Sequence, residues 1–132
     1  DVLHQAFKQR LGSFSNLSIV SNEMDFSAEG VISGFKNKTI HIMNKGAVAL
    51  RGTPHYHKIA GRDNVLLLGD SLGDLRMADG LSERNVTLTV GFLNDKIEER
   101  REQYLAEFDV VIEGDGPMTD VNNLILRQIL DQ

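Results

Sequence analysis

The chain has 132 residues, enough for one domain with a core of useful size, and its 41% hydrophobic and 25% charged content is ordinary for a soluble globular protein. Its 14 basic and 19 acidic residues leave a formal net charge of -5, which argues against a general nucleic-acid-binding surface because no cation excess exists to neutralise a phosphate backbone. There is no cysteine, so disulfides, thiolate zinc sites and cysteine nucleophiles are excluded, and no apolar stretch approaches the roughly 20 residues of a membrane span.

The elements follow in chain order. Asp1-Val2-Leu3-His4-Gln5 has no basic n-region or apolar h-region, so no signal peptide is expected, and the lack of an initiator Met suggests a cut chain. Val2 to Leu11 places apolar residues at helical spacing, with Gly12 as the stop. Leu17 to Asn22 reads as a short strand. Met24 to Phe35 reads as a hairpin or small meander with Gly30 and Gly34 as turn points. Thr39 to Met43 suggests another short strand, and Gly46 to Ala60 one or two short helices, with Thr53 as N-cap and Pro54 as first helical residue.

The pattern then becomes regular. Val65-Leu66-Leu67-Leu68 is a continuous apolar run, as expected of a strand covered on both faces, and it ends at Gly69-Asp70. A short helical turn is expected from Asp74, ending at Gly80. Val86 to Val90 is a β-branched strand, and Asp95 to Phe108 a charged amphipathic helix with Ile97, Tyr104 and Leu105 inward. Val110 to Ile112 is a further strand and Met118 to Leu130 the closing helix. Strands alternating with helices at this spacing predict an α/β fold with a parallel sheet.

In such sheets ligands gather beyond the carboxyl ends of the strands. Asp70 is predicted at such an end, and Asp74 follows four residues later around a Gly-containing turn. Two carboxylates leaving one strand end repel each other, and a hard cation such as Mg²⁺ relieves that repulsion with oxygen ligands and retained waters. The plainer alternative is that both residues cap the next turn. Lys45, in Ile42-Met43-Asn44-Lys45-Gly46, could face phosphate oxygens or could be a solvated surface residue, and spacing alone does not decide. Gly69-Asp70-Ser71-Leu72 also spells a GDSL esterase signature with Ser71 as nucleophile. That chemistry needs a His general base, which in that family lies near the C-terminus in an Asp-x-x-His pattern, and here His4, His41, His55 and His57 all precede Ser71. His55 and His57 do not share a helix face, which disfavours a metal pair, and Glu98 to Glu102 reads as a solvated helix face.

Gly69-Asp70-Ser71-x-Gly73-Asp74-x-Arg76-Met77-Ala78-Asp79-Gly80 closely resembles the fourth motif of the cytosolic 5′-nucleotidase III family, the pyrimidine and 7-methylguanosine-phosphate 5′-nucleotidases of the haloacid-dehalogenase-like superfamily. Ile19-Val20-Ser21-Asn22-x-Met24-Asp25-Phe26, Gly34-Phe35-Lys36, Ile40-His41-x-x-Asn44-Lys45 and Gly91-Phe92-Leu93-Asn94-Asp95 resemble further family segments in the right order. The resemblance implies a haloacid-dehalogenase-like Rossmannoid parallel sheet, with residues 1–132 as the C-terminal part of a single phosphatase core domain. It implies that Asp70 ligates an essential Mg²⁺ and that Asp74 supports the metal and the catalysis. Lys45 would pair with the phosphate and with the nucleophile. The implied reaction is hydrolysis of nucleoside 5′-monophosphates in the cytoplasm through an aspartyl-phosphate, with no nucleic-acid polymer or membrane as partner.

This sequence departs from the family in one respect. The Asp-x-Asp motif with the nucleophile, and the helical cap that shapes the base pocket, are expected upstream of Asp1. Without the nucleophile strand, the strand ending at Asp70 would have an unpaired edge. These 132 residues alone are therefore expected to fold poorly and to hydrolyse no nucleotide. The competing expectation is a non-catalytic product that keeps a metal-binding or partner-binding surface. Gly91 to Glu102 leans towards the 7-methylguanosine-phosphate branch.

Overall fold

The computed structural model describes residues 2–12, 14–36, 39–41, 44, 46, 54–59, 61–80 and 86–130. The chain divides into two compact units, Asp1–Asn44 and Lys45–Gln132.

The first unit contains helix α1 (Val2–Arg10) and an antiparallel hairpin of β1 (Met24–Phe26) and β2 (Ile32–Phe35). Gly12, with φ 78, stands in the left-handed region just past α1, where a side chain would be strained. The hairpin turns at Gly30, also φ 78, whose N–H donates to the Ser27 carbonyl at 3.0 Å. Gly34 is not a turn point as expected; it lies within β2 opposite Asp25.

The strand expected over Leu17 to Asn22 does not form. A strand needs a neighbouring ladder, and no described backbone pairs with it. Instead the Asn22 side chain grips the backbone of Ile40, donating from Nδ2 to the carbonyl at 2.9 Å and accepting the Ile40 N–H at Oδ1 at 2.7 Å. One side-chain amide thus does locally what a strand peptide would. Thr39 to His41, the described part of the next expected strand, is likewise not in a ladder; Met43 and Thr53 lie outside the described residues.

The second unit holds the regular part of the chain. Helix α2 (Pro54–Ile59) begins at the proline, whose missing N–H costs nothing in the first turn. A parallel sheet follows in the order β3 (Asn64–Gly69), β4 (Val86–Leu93), β5 (Val110–Glu113), with a 3₁₀ helix Leu72–Ala78 and helix α3 (Ile97–Glu107) in the connections. The chain closes with α4 (Thr119–Leu124), which continues as a wider π-helical stretch Ile125–Leu130. The α/β parallel architecture predicted from the alternating runs is therefore present. β4 extends three residues past Val90, because Gly91-Phe92-Leu93 keeps pairing with β5.

Among the described residues β3 is an edge strand. Leu67 is buried, but Leu68 on the opposite face is 40% exposed, so the expected cover on both faces is incomplete. The core gathers on the other face, where Leu93, Tyr104 and Phe108 pack with Leu72, Leu75, Ile97 and Val111. Leu105, expected inward, is 59% exposed. Successive helical residues are about 100° apart, so the stripe that holds Ile97 and Tyr104 continues to Phe108 and leaves Leu105 outside.

Two glycines shape this face. Gly69 and Gly91 are opposite each other in the β3–β4 register. A Cβ on Gly69 would stand 2.5 Å from the Cβ of Asp74, and one on Gly91 would stand 2.6 Å from the Phe108 ring. The paired glycines open a trough that lets Asp74 and α3 approach the sheet.

Candidate functional site

The carboxyl end of β3 delivers Asp70 into the turn before the 3₁₀ helix. Asp74, only 3% exposed, folds back over this turn. Its Oδ2 accepts the N–H of Asp70 at 3.2 Å, the N–H of Ser71 at 3.1 Å and the Ser71 hydroxyl at 2.9 Å. A buried carboxylate is costly unless donors surround it, and here three converge on one oxygen. Asp74 thus ties the loop at the N-terminus of the 3₁₀ helix, where negative charge is also favoured by the peptide dipoles. The capping alternative therefore holds for Asp74.

Asp70 differs from it. Its backbone N–H goes to Asp74, and its carbonyl accepts the phenol O–H of Tyr104 at 2.8 Å. Its side chain is exposed, and among the described residues no ion pair holds the carboxylate. It lines a shallow cleft of about 370 Å³ with Leu68, Gly69, Asp74, Met77 and Phe92. A larger cavity of about 850 Å³ lies in the first unit against α1 and the hairpin. Its lining is mostly apolar or neutral, and its cation Lys36 is paired with Glu23 at 3.3 Å, so it offers no comparable chemistry.

Lys45 lies outside the described residues. The next residue, Gly46, packs against the end of the 3₁₀ helix; a Cβ there would stand 3.0 Å from the Arg76 carbonyl and 3.4 Å from that of Asp79. The structure thus brings Asp70 and Asp74 together at the N-terminal end of the 3₁₀ helix, whereas Gly46 lies at its other end. Gly80, with φ 86, ends that turn as expected.

Ser71 donates its hydroxyl into its own turn, to Asp74, and so serves the loop. Among the described residues no hydrogen bond from a histidine reaches it, which leaves the esterase alternative without support. His55 and His57 are both in α2 and, among the described residues, no group of three or more His, Cys, Asp or Glu is placed to hold a metal. Glu98 and Glu99 are exposed as expected, but Arg101 is not merely solvated. It contacts Glu98 at 2.6 and 2.8 Å and Glu113 at 2.7 and 3.0 Å, linking α3 to β5. Its guanidinium holds both carboxyls below the usual carboxylate range, chiefly through these hydrogen bonds.

Sequence reasoning missed Tyr104 as a site neighbour, because a contact 34 residues away leaves no local pattern. It also missed that Lys96 and Asp115, with φ 51 and 53, adopt the left-handed backbone after β4 and β5. The Asp115 N–H is held by Asn94 Oδ1 at 3.0 Å. The loops at this end of the sheet are shaped by specific bonds at an energetic cost of about 1 kcal/mol per left-handed residue.

With this geometry established, comparison with known proteins identifies the lineage. The sequence profile described as pyrimidine 5′-nucleotidase (UMPH-1) matches residues 1–130. This chain belongs to that family. The 7-methylguanosine phosphate-specific 5′-nucleotidase of Homo sapiens is 45% identical over 132 residues, which is all of this chain and 44% of that protein. The enzyme of that name from Drosophila melanogaster is 35% identical over 118 residues, 89% of this chain and 36% of its own length. A crystal structure of cytosolic 5′-nucleotidase IIIB bound to cytidine superimposes with a TM-score of 0.82 at 30% identity, covering 93% of this chain and 41% of that one. The chain thus spans less than half the length of these curated relatives, and its fold is that of the haloacid-dehalogenase-like 5′-nucleotidases. No helix among the described residues is long and apolar enough to cross a membrane.

Proposed function

We propose that this chain is the metal-binding portion of a Mg²⁺-dependent 5′-nucleotidase that hydrolyses nucleoside 5′-monophosphates to nucleoside and phosphate. The observation that carries this reading is Asp70, whose two backbone groups are occupied by other residues while its carboxylate is exposed on the cleft at a parallel strand end. An oxygen-only donor of this kind fits a hard cation that keeps several waters. Asp70 would hold Mg²⁺ directly and Asp74 would hold the Asp70 loop in place. When bound, Mg²⁺ supplies positive charge against the phosphate oxygens.

Lys45 would supply a second positive charge, lowering the repulsion between an anionic phosphate and an anionic nucleophile. The nucleophile is an aspartate outside these 132 residues. Its carboxylate forms a bond to phosphorus while the bond to the nucleoside 5′-oxygen breaks and that oxygen takes up a proton. Water then cleaves the aspartyl-phosphate, releasing phosphate and restoring the carboxylate. The names of the relatives favour a 7-methylguanosine phosphate substrate, in agreement with the lean read from Gly91 to Glu102. The cytosolic designation of the solved relative, together with its bound cytidine, supports a cytoplasmic enzyme acting on nucleotides.

The test is Asp70→Asn in the full-length protein, followed by calorimetric Mg²⁺ titration and by phosphate release from 7-methylguanosine and pyrimidine monophosphates. Loss of Mg²⁺ binding and a fall in turnover of about 10² to 10³-fold are expected, comparable to removal of a main electrostatic stabiliser. Unchanged metal affinity and turnover would sink the proposal.

A further inference from the structure

We infer that Tyr104 is a positioning residue for the metal-binding carboxylate, acting through the backbone of Asp70; the inference rests on the function proposed above. Tyr104 is in α3, is 3% exposed, and donates its phenol O–H to the Asp70 carbonyl at 2.8 Å. Its ring stacks on Phe108, with centroids 5.4 Å apart and planes at 29°. Phe108 in turn presses on Gly91 so closely that a Cβ there would stand 2.6 Å from the ring. A continuous run of packed groups therefore extends from β4 through two aromatic rings to the loop that carries Asp70.

The consequence lies in how the polar groups of Asp70 are divided. The N–H is taken by Asp74 and the carbonyl by Tyr104, so the peptide groups on both sides of the residue are held by buried side chains from different elements. Only the carboxylate remains to turn outward. Were the Tyr104 bond absent, the carbonyl could rotate toward the cleft and compete with the carboxylate for a cation. Fixing a ligand before its cation arrives lowers the ordering cost of binding, and partners of this kind in metal sites commonly affect affinity by about 10-fold or more. A buried tyrosine that merely needed an acceptor would satisfy its hydroxyl without changing metal affinity.

The experiment uses the full-length protein with Tyr104→Phe, which deletes one oxygen and keeps the ring stack, and with Asp70→Asn as reference. Mg²⁺ affinity is measured by calorimetry, melting temperature by scanning calorimetry, and kcat and KM across a Mg²⁺ series. Tyr104→Phe is expected to weaken Mg²⁺ binding by about 10-fold. Its melting temperature should stay close to that of the parent, KM for the nucleotide should not change, and excess Mg²⁺ should recover most of kcat. If Asp70→Asn abolishes binding but Tyr104→Phe binds Mg²⁺ like the parent, the positioning role is wrong and the metal site stands. If Asp70→Asn also binds like the parent, both fall together. Should Tyr104→Phe fail to fold, Phe108→Leu keeps the phenol and loosens the stack. A weaker Mg²⁺ affinity in that variant supports the role, and an unchanged one overturns it.

Discussion

The two units of the chain use apolar residues in different ways. In Asp1–Asn44 the described side chains all keep some exposure, and large apolar groups such as Val2, Phe26, Ile32 and Phe35 are more than half exposed. In Lys45–Gln132, Leu67, Val90, Leu93, Tyr104, Phe108 and Val121 are sheltered from solvent. Hydrophobic content does not explain the difference, since both units have ample. Layering does. Among the described residues, the hairpin strands of three and four residues bury no side chain, whereas the parallel sheet is backed by α3. Asp70 and Asp74 belong to the layered unit, where a side chain can be held to within the tolerance that chemistry requires.

The largest effect that could break this comparison comes from truncation. Leu93→Ala should destabilise the full-length protein by about 2–5 kcal/mol, as expected for a cavity in a packed core. Phe26→Ala, at a residue 58% exposed, should stay within about 0.5 kcal/mol. Denaturant melts of both variants decide it, and equal losses would mean that the first unit is as tightly packed as the second. A smaller effect is expected from Gly91→Ala. The new methyl would force the Phe108 ring to move, costing about 1–3 kcal/mol in the same melts, whereas a neutral result would show that the α3 contact is loose.

The smallest effect concerns pH. Arg101 lowers the carboxyls of Glu98 and Glu113, so their stabilising contribution is present above the ordinary glutamate value near about 4.3 and is lost as pH falls through the depressed folded values. All three side chains are solvent-accessible, so the gain is modest. Arg101→Gln should flatten the acid limb of the stability profile below about pH 4.3 and leave the neutral region nearly unchanged. A steeper acid limb in the variant would contradict that sign.

Legibility in the sequence follows the range of the forces involved. β3, β4, β5 and α3 were readable because apolar runs and helical periodicity are local, and the hairpin was readable from Gly30 at its turn. Leu17 to Asn22 misled, since a strand-like sequence becomes a strand only when another backbone lies beside it. Asp70 could be placed at a strand end from its neighbours alone, but the division of labour with Asp74 could not. That division depends on which carboxylate the Gly69 gap admits. Tyr104 was expected inward, yet its bond to Asp70 spans 34 residues of chain with β4 between them.

That bond also bears on the order of folding. It joins residues 34 apart, so it cannot close until β4 has been laid beside β3 and α3 has docked. Contacts of such separation are made late, after the entropy of closing the intervening chain has been overcome. In a refolding time course of the full-length protein, capture of the Mg²⁺ proposed for Asp70 should therefore lag behind helix formation and coincide with the last gain in tertiary signal, so that the proposed cation would report completed assembly.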